Sequence, residues 1–409
     1  MKFGRRLIDM ADRLAEHSET SDGLTCTYLT DAHRAVAAQL CDWMSAAGLQ
    51  THVDAVGNVV GRVPSRTGRK TLLLGSHYDT VRNAGRYDGR LGILAALLSA
   101  EELHRAGEEL PFHLEVIAFS EEEGVRFSTP YIGSSAVAGR FAPAWLERRD
   151  HAGDSLDEVL QEAGGNLETI AALARRPEDL LAYLEVHIEQ GPVLLEQNCP
   201  LGVVTSIAGA VRYTVTVSGT AGHAGTVPMH QRHDAATAAA EIVLAVEQRC
   251  SMPGLVGTVG QLAVPAGAIN VIPARCVLSL DIRAAEDTVR DAAAADVLKR
   301  IKEIAQRRGV LIETQELMRT PAVPCAPALQ DLLSESIAAC GASPLRLVSG
   351  AGHDAVTFHG LTDIGMLFVR CGNGGISHSP RETVSAKDAD IAVRVLLETI
   401  RKLADRHVT

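Results

Sequence analysis

Three short runs of this chain are largely apolar where a half-exposed strand would alternate. They are T-L-L-L-G-S-H at residues 71–77, H-L-E-V-I-A-F-S at 113–120 and A-Y-L-E-V-H at 182–187. Such runs suit strands buried on both faces of a sheet. Helical stretches alternate with them. Residues 31–47 read as a helix capped by Thr30 or Asp31, with Val36, Leu40, Met44 and Ala47 at helical spacing and Gly48 at its end. Residues 92–103, G-I-L-A-A-L-L-S-A-E-E-L, read as a buried helix, and H-V-D-A-V-G-N-V-V-G-R as strand, Gly-Asn turn and strand. Strands alternating with helices predict an α/β domain with a mostly parallel sheet. In such sheets ligands gather beyond the carboxyl ends of the strands.

From residue 211 the pattern changes. V-R-Y-T-V-T-V-S-G alternates, an Ala-rich helix follows at 234–248, and strands follow at about 255–264 and 275–283. A helix over 287–307 and the strand V-L-I-E-T-Q-E-L close the unit. The order β-α-β-β-α-β is that of a ferredoxin-like unit. After Pro321 and Pro324 the α/β pattern resumes. The sequence therefore predicts a catalytic domain made of residues 1–208 and 325–409, with a lid inserted at 209–324.

Chemistry-bearing residues fall at the ends of the apolar runs. G-S-H-Y-D-T at 75–80, Y-D-G at 87–89, E-E-E-G at 121–124, E-V-H-I-E-Q-G at 185–191 and G-I-S-H-S-P at 375–380 offer His77, Asp88, Glu123, His187 and His378 as metal ligands. A lone histidine at a strand end is more often structural, and three adjacent glutamates are usually a solvated charge run. Their common position is what favours chemistry. Three imidazoles and two carboxylates, one of them shared, suit a pair of divalent ions. In this reading Asp88 bridges, His77 and His187 complete one site, and Glu123 and His378 complete the other. Asp79 would hold the second nitrogen of His77. Glu122, the spare acid, would shuttle protons. Adjacent residues of a strand face opposite ways, so Glu122 and Glu123 both reach the site only if the strand has ended, which Gly124 permits. The insert adds His223 in H-A-G-T, Asn270 in A-I-N and Arg283 in D-I-R. Arg283 suits a two-point grip on a carboxylate, Asn270 an amide or ureido group, and His223 an oxyanion.

The remaining composition narrows the class. A net charge of −11 over 409 residues argues against a general binder of nucleic acid or anionic membrane. Eight cysteines without a C-x-x-C pair read as scattered reduced thiols, as in a cytoplasmic protein. The N-terminal segment lacks the apolar stretch of a signal peptide.

The motif set G-S-H-Y-D-T, Y-D-G-R-L-G, E-E-E-G-V-R-F, H-I-E-Q-G-P, G-H-A-G-T-V-P-M, I-N-V-I-P, D-I-R, S-G-A-G-H-D-A and G-G-I-S-H-S-P spans nearly the whole chain. In it the chain resembles the hydantoinase/carbamoylase-type amidases, within the wider clan of di-metal aminoacylases, carboxypeptidases and dipeptidases. His187 carries particular weight, because peptidase members of the clan generally have a carboxylate there. The resemblance implies two Mn²⁺ or Zn²⁺ ions, with Co²⁺ or Ni²⁺ as alternatives, on the ligands above. It implies Glu122 as the base, with Glu121 the extra acid. It implies a homodimer formed through the lid, with His223 serving the partner's active site, and substrate contacts at Gln190, Asn270, Arg283, Gly352 and His353. Members cleave the ureido C–N bond of N-carbamoyl-L-amino acids, allantoate, ureidoglycolate or 3-ureidopropionate, releasing ammonia and carbon dioxide. The rival readings are a di-metal peptidase or aminoacylase and a binding protein that has lost its chemistry.

Overall fold

The computed structural model describes residues 2–407, which group into two compact units. One comprises the residues up to Thr205, Cys325–Leu347 and those from Gly352 on; the other comprises Ser206–Pro324 and Val348–Ala351.

The first unit is α/β with a mixed sheet. Its strand order runs Gln50–Val53, Val59–Val63, His113–Phe119, Thr71–His77, Leu180–Ile188, Ile364–Val369 and Leu201–Ile207. The four strands from His113–Phe119 to Ile364–Val369 are mutually parallel, and the flanking pairs are antiparallel. Thr71–His77 is buried at every position, as its continuous apolar run predicts. Helix Arg90–Ala106 packs on this strand and on Leu180–Ile188, and helix Ala386–His407 packs on Arg90–Ala106. Their apolar faces, including Leu91, Leu94, Leu98, Val393, Leu396 and Ile400, join Leu72, Leu74 and Val186 in one core. Asp31–Ala46 is the expected helix, with the Thr30 hydroxyl accepting the His33 N–H at its start. The N-terminal helix Gly4–Ala15 buries Leu7, Met10, Ala11 and Leu14.

The second unit follows the β-α-β-β-α-β order. Strand Gly209–Ser218 lies between Arg275–Ala284 and Leu311–Thr320, antiparallel to both. Val211, Tyr213, Val215 and Val217 point to one face, where helices Ala235–Cys250 and Asp287–Arg308 supply Ile242, Val246, Val297 and Ile301. The strand expected at about 255–264 is broken into Leu255–Thr258 and Leu262–Ala263. The Ser279 hydroxyl takes the Gln261 N–H at the break, replacing a ladder bond. Among the described residues no helix is long and apolar enough to cross a membrane.

Candidate metal centre

The parallel strands end where chemistry begins. His77 is the last residue of its strand and lies opposite Phe119 in register. Asp88 follows on the turn into helix Arg90–Ala106. Gly89 caps that helix at φ 64°, and a Cβ on it would lie 2.4 Å from the His77 carbonyl oxygen, so only glycine lets Asp88 come this close. His187 stands one residue before the end of Leu180–Ile188, beside Phe368 of the neighbouring strand. The strand carrying Glu122 and Glu123 has already ended at Phe119, so the two side chains are free of strand alternation.

Asp88 sits at the centre. Its Oδ1 lies 3.3 Å from His187 Nε2 and 3.9 Å from His77 Nε2. Its Oδ2 lies 3.0 Å from His378 Nε2, which is 3.5 Å from Glu123 Oε1. The potential ligand atoms of His77, Asp88 and His187 form one compact group, those of Asp88, Glu123 and His378 a second, and those of His77, Glu122 and Glu123 a third. Glu185, His187 and His353 form a further group, with the His353 ring 4.5 Å from that of His187. Gln190 turns its amide onto both oxygens of Asp88, at 3.2 and 3.1 Å. Gly352 passes over the Tyr131 hydroxyl, which would lie 1.9 Å from a Cβ there.

The donor set suits a cation. His77 Nδ1 faces the Asp79 carbonyl oxygen at 3.1 Å, and His187 Nδ1 faces the Ile188 carbonyl oxygen at 2.9 Å. Each of these oxygens holds a proton on Nδ1, which turns the Nε2 lone pairs towards Asp88 and towards each other, 3.4 Å apart. Protonation resolves this unevenly. Burial lowers His187 to about 4. His77 rises well above its usual value although burial opposes it, because Asp79 and Glu122 stand beside it. Burial pushes Glu122 well above the carboxylate range, with His77 opposing and Glu123 adding to the rise. Burial likewise takes Glu123 to about 7. Asp88 falls below its usual value against its burial, because His378, His187 and His77 surround it. The hydrogen bond to Asp88 lifts His378 to about 9. Buried carboxylates and facing imidazole lone pairs are what a divalent ion accommodates. Glu121 is fully buried; burial and then the neighbouring Asp79 carboxylate push it well above its usual range.

The insert residues lie in their own unit. His223 is on the short ribbon Gly222–His223, paired with Val271–Ile272. The neighbouring Ala224 N–H donates to the Asn270 carbonyl at 3.0 Å, so His223 and Asn270 come together. Arg283 is elsewhere, on strand Arg275–Ala284. Its Nε and Nη2 donate to Asp281 at 2.9 and 2.8 Å, and its Nη1 donates to the Gly350 carbonyl at 2.8 Å.

Residues 73–402 match the sequence family described as peptidase family M20/M25/M40. The chain is 39% identical to an N-carbamoyl-L-amino acid amidohydrolase of Geobacillus stearothermophilus over 98% of each chain. It is 40% identical to a probable allantoate deiminase of Oryza sativa subsp. japonica, over 95% of this chain and 87% of the other. A crystal structure of a hydantoinase/carbamoylase family amidase from Burkholderia multivorans superposes with a TM-score of 0.92 at 32% identity, covering 98% of each chain. The chain belongs to the hydantoinase/carbamoylase amidases of peptidase family M20/M25/M40. As an amidase of this family it joins a metal-dependent group, and its His, Asp and Glu groups are candidates to hold metal.

Two residues beside this centre receive no role from the motifs. Glu382 accepts the backbone N–H groups of Tyr87 and Asp88, and Glu185 accepts the Tyr183 hydroxyl and the Ala355 N–H. Glu382 falls four residues after His378, a spacing that could have flagged it. Glu185 opens the E-V-H-I-E-Q-G stretch and lies buried inside its strand.

Proposed function

We propose that the protein is a metal-dependent amidohydrolase that cleaves the ureido C–N bond of a small carboxylate-bearing substrate, an N-carbamoyl-L-amino acid or allantoate, with release of ammonia and carbon dioxide. The observation that carries this reading is Asp88, whose two oxygens face different partners, His77 and His187 on one side and His378 on the other. One ion is assigned to His77, Asp88 and His187, the second to Asp88, Glu123 and His378. Mn²⁺ or Zn²⁺ fits this mixed imidazole and carboxylate set, with Co²⁺ or Ni²⁺ as alternatives. Ions bound there would supply an acidified water and a polarised carbonyl.

The chain's own residues do the rest. Glu122 takes the proton of the attacking water and hands it to the departing nitrogen as the C–N bond breaks. Burial raises this carboxyl above its ordinary range, which favours its holding a proton that it can pass to the leaving nitrogen. Arg283 is assigned the substrate carboxylate and Asn270 the ureido group, with Gln190, Gly352 and His353 on the substrate side. The Gly225 N–H donates to His223 Nδ1 at 3.0 Å, which makes Nε2 the donor that an oxyanion needs. The inserted unit is read as a lid and as the face through which a homodimer forms. Exposed Leu262, Val264, Ile269 and Val271 support an apolar contact there. We assign His223 to the partner's site and the protein to the cytoplasm, with no nucleic-acid or membrane partner.

The family also contains peptidases, so the deciding experiment offers both substrate types. Purified protein with added Mn²⁺ should release ammonia from N-carbamoyl amino acids or allantoate, and little amine from dipeptides or N-acyl amino acids. Dipeptide cleavage without ammonia release would replace the proposal with the peptidase reading. Glu122→Gln should retain bound metal and lose roughly 10²–10⁴-fold in turnover. Asp88→Ala should lose both ions, and His187→Ala one.

A further inference from the structure

Glu382 is 4% exposed and lies in the loop after His378. Its Oε1 accepts the backbone N–H of Tyr87 at 2.8 Å and of Asp88 at 3.2 Å. Its Oε2 accepts the Ser377 hydroxyl at 2.8 Å. All three contacts donate to it, so both of its oxygens act as acceptors. Gly85 runs so close that a Cβ there would lie 2.2 Å from the carboxyl group. One side chain thus grips the backbone of Asp88 and the residue preceding His378.

The loop it grips is unusually constrained. His378 has φ 53°, and Gln190, which contacts it, has φ 56°. Side-chain-bearing residues keep such conformations only where their surroundings hold them. Gly375 packs onto Gly191, where a Cβ would lie 2.2 Å from its carbonyl carbon.

Ser377 has a single hydroxyl proton and two acceptors. Its oxygen lies 2.8 Å from Glu382 Oε2 and 3.2 Å from Asp88 Oδ2. The proton goes to one of them. Given to Asp88, it would occupy a lone pair on the carboxylate assigned to bridge the two ions.

We infer that Glu382 is a positioning residue for the metal centre, locking the Asp88 and His378 loops in one register and drawing the Ser377 proton away from the bridging carboxylate. The inference rests on the metal reading of Asp88 and His378. It makes a specific demand of Glu382→Gln. The amide oxygen would still accept both backbone N–H groups. The amide NH₂ would now donate to the Ser377 oxygen, and the hydroxyl proton would turn to Asp88.

The test uses the full chain, stripped with chelator and titrated with Mn²⁺ alone in a calorimeter, with circular dichroism to confirm folding. Glu382→Gln should bind Mn²⁺ at least tenfold more weakly than wild type. In a Ser377→Ala background, where no hydroxyl can turn, the same Glu382→Gln change should cost less than threefold. Glu382→Asp keeps the charge but is too short to span both loops, and should also lose at least tenfold. If Glu382→Gln does not fold, Glu382→Asp decides. Wild-type affinity in a folded Glu382→Gln or Glu382→Asp would overturn the inference, as would an equal loss with and without the Ser377 hydroxyl. A wild-type chain that takes up no Mn²⁺, Zn²⁺, Co²⁺ or Ni²⁺ would instead overturn the metal reading itself, and this inference with it.

Discussion

One carboxylate oxygen of Asp79 accepts the backbone N–H of Glu122 at 3.0 Å. Its other oxygen accepts the N–H of Glu123 at 3.1 Å, and Oδ1 lies 3.4 Å from His77 Nδ1. One buried side chain therefore sets the turn that brings two consecutive glutamates to one place, and also borders the imidazole beside them. The expected role of Asp79 was to hold the His77 ring. Both the Asp79 backbone oxygen at 3.1 Å and its carboxylate at 3.4 Å border that ring, so the carboxylate serves the imidazole and the glutamate turn together.

Asp79→Ala should therefore lower turnover about 10- to 100-fold, the usual scale for groups that orient metal ligands. Asp79→Asn keeps one acceptor oxygen and should fall between Ala and wild type. Steady-state kinetics alongside metal analysis reads this out. A wild-type kcat in Asp79→Ala would show that the turn holds without the carboxylate.

Arg283→Lys is expected to be damaging despite its retained charge. The guanidinium meets Asp281 through two nitrogens and Gly350 through the third. A single ammonium cannot keep that plane oriented. If the substrate carboxylate is held equally in ground and transition states, KM should rise with kcat little changed. A substrate whose carboxylate is replaced by an amide should lose affinity with wild type and lose little more with Arg283→Lys. Fully additive losses would mean that Arg283 does not touch the carboxylate.

The buried strands were legible because their signal is local. A run such as residues 71–77 declares a doubly buried strand, and the candidates His77 and His187 lie where such runs stop, with Glu123 four residues past Phe119. The strand order was not legible. The sheet places Thr71–His77 between His113–Phe119 and Leu180–Ile188, an arrangement fixed by packing among distant segments. Glu382 and Ser377 were missed for the same reason. Their partners Tyr87 and Asp88 lie nearly three hundred residues away, and no periodicity reports such a contact. The broken strand after Leu255 depended on one side-chain bond from Ser279, which competes with the ladder.

His33 supplies a pH test away from the ion positions. It is buried, its Nε2 contacts the Ser120 carbonyl at 2.6 Å, and its ring stacks on Tyr78. Burial lowers it from 6.5 to about 4. Between those values the unfolded chain binds a proton that the folded chain refuses, so stability falls as pH drops from 6.5 towards 4. The full effect is about 3 kcal/mol. His33→Gln cannot bind that proton in either state. Denaturant unfolding with excess chelator should therefore show the wild-type advantage over His33→Gln shrinking from pH 7.5 to pH 4.5. A constant difference would mean that His33 titrates normally when folded.

His223 ties the proposed dimer to catalysis. It sits at the exposed end of a two-residue ribbon, with Gly225 fixing its Nδ1. His223→Ala should be nearly inactive, and so should Glu122→Gln. Mixed under subunit exchange, the two inactive proteins form heterodimers. In the proposed arrangement, one site of each heterodimer combines an intact Glu122 from one chain with an intact His223 from the other. The second site collects both defects. Activity should reappear, up to one working site per heterodimer, because a two-fold axis makes the two crossings equivalent. Mixing wild type with either inactive protein gives the reference for exchange. If mass spectrometry confirms heterodimers and no activity returns, His223 acts within its own chain or takes no part. If no dimer forms at all, the lid cannot be supplying a partner's site, and His223→Ala should then be tested for a direct loss in the monomer.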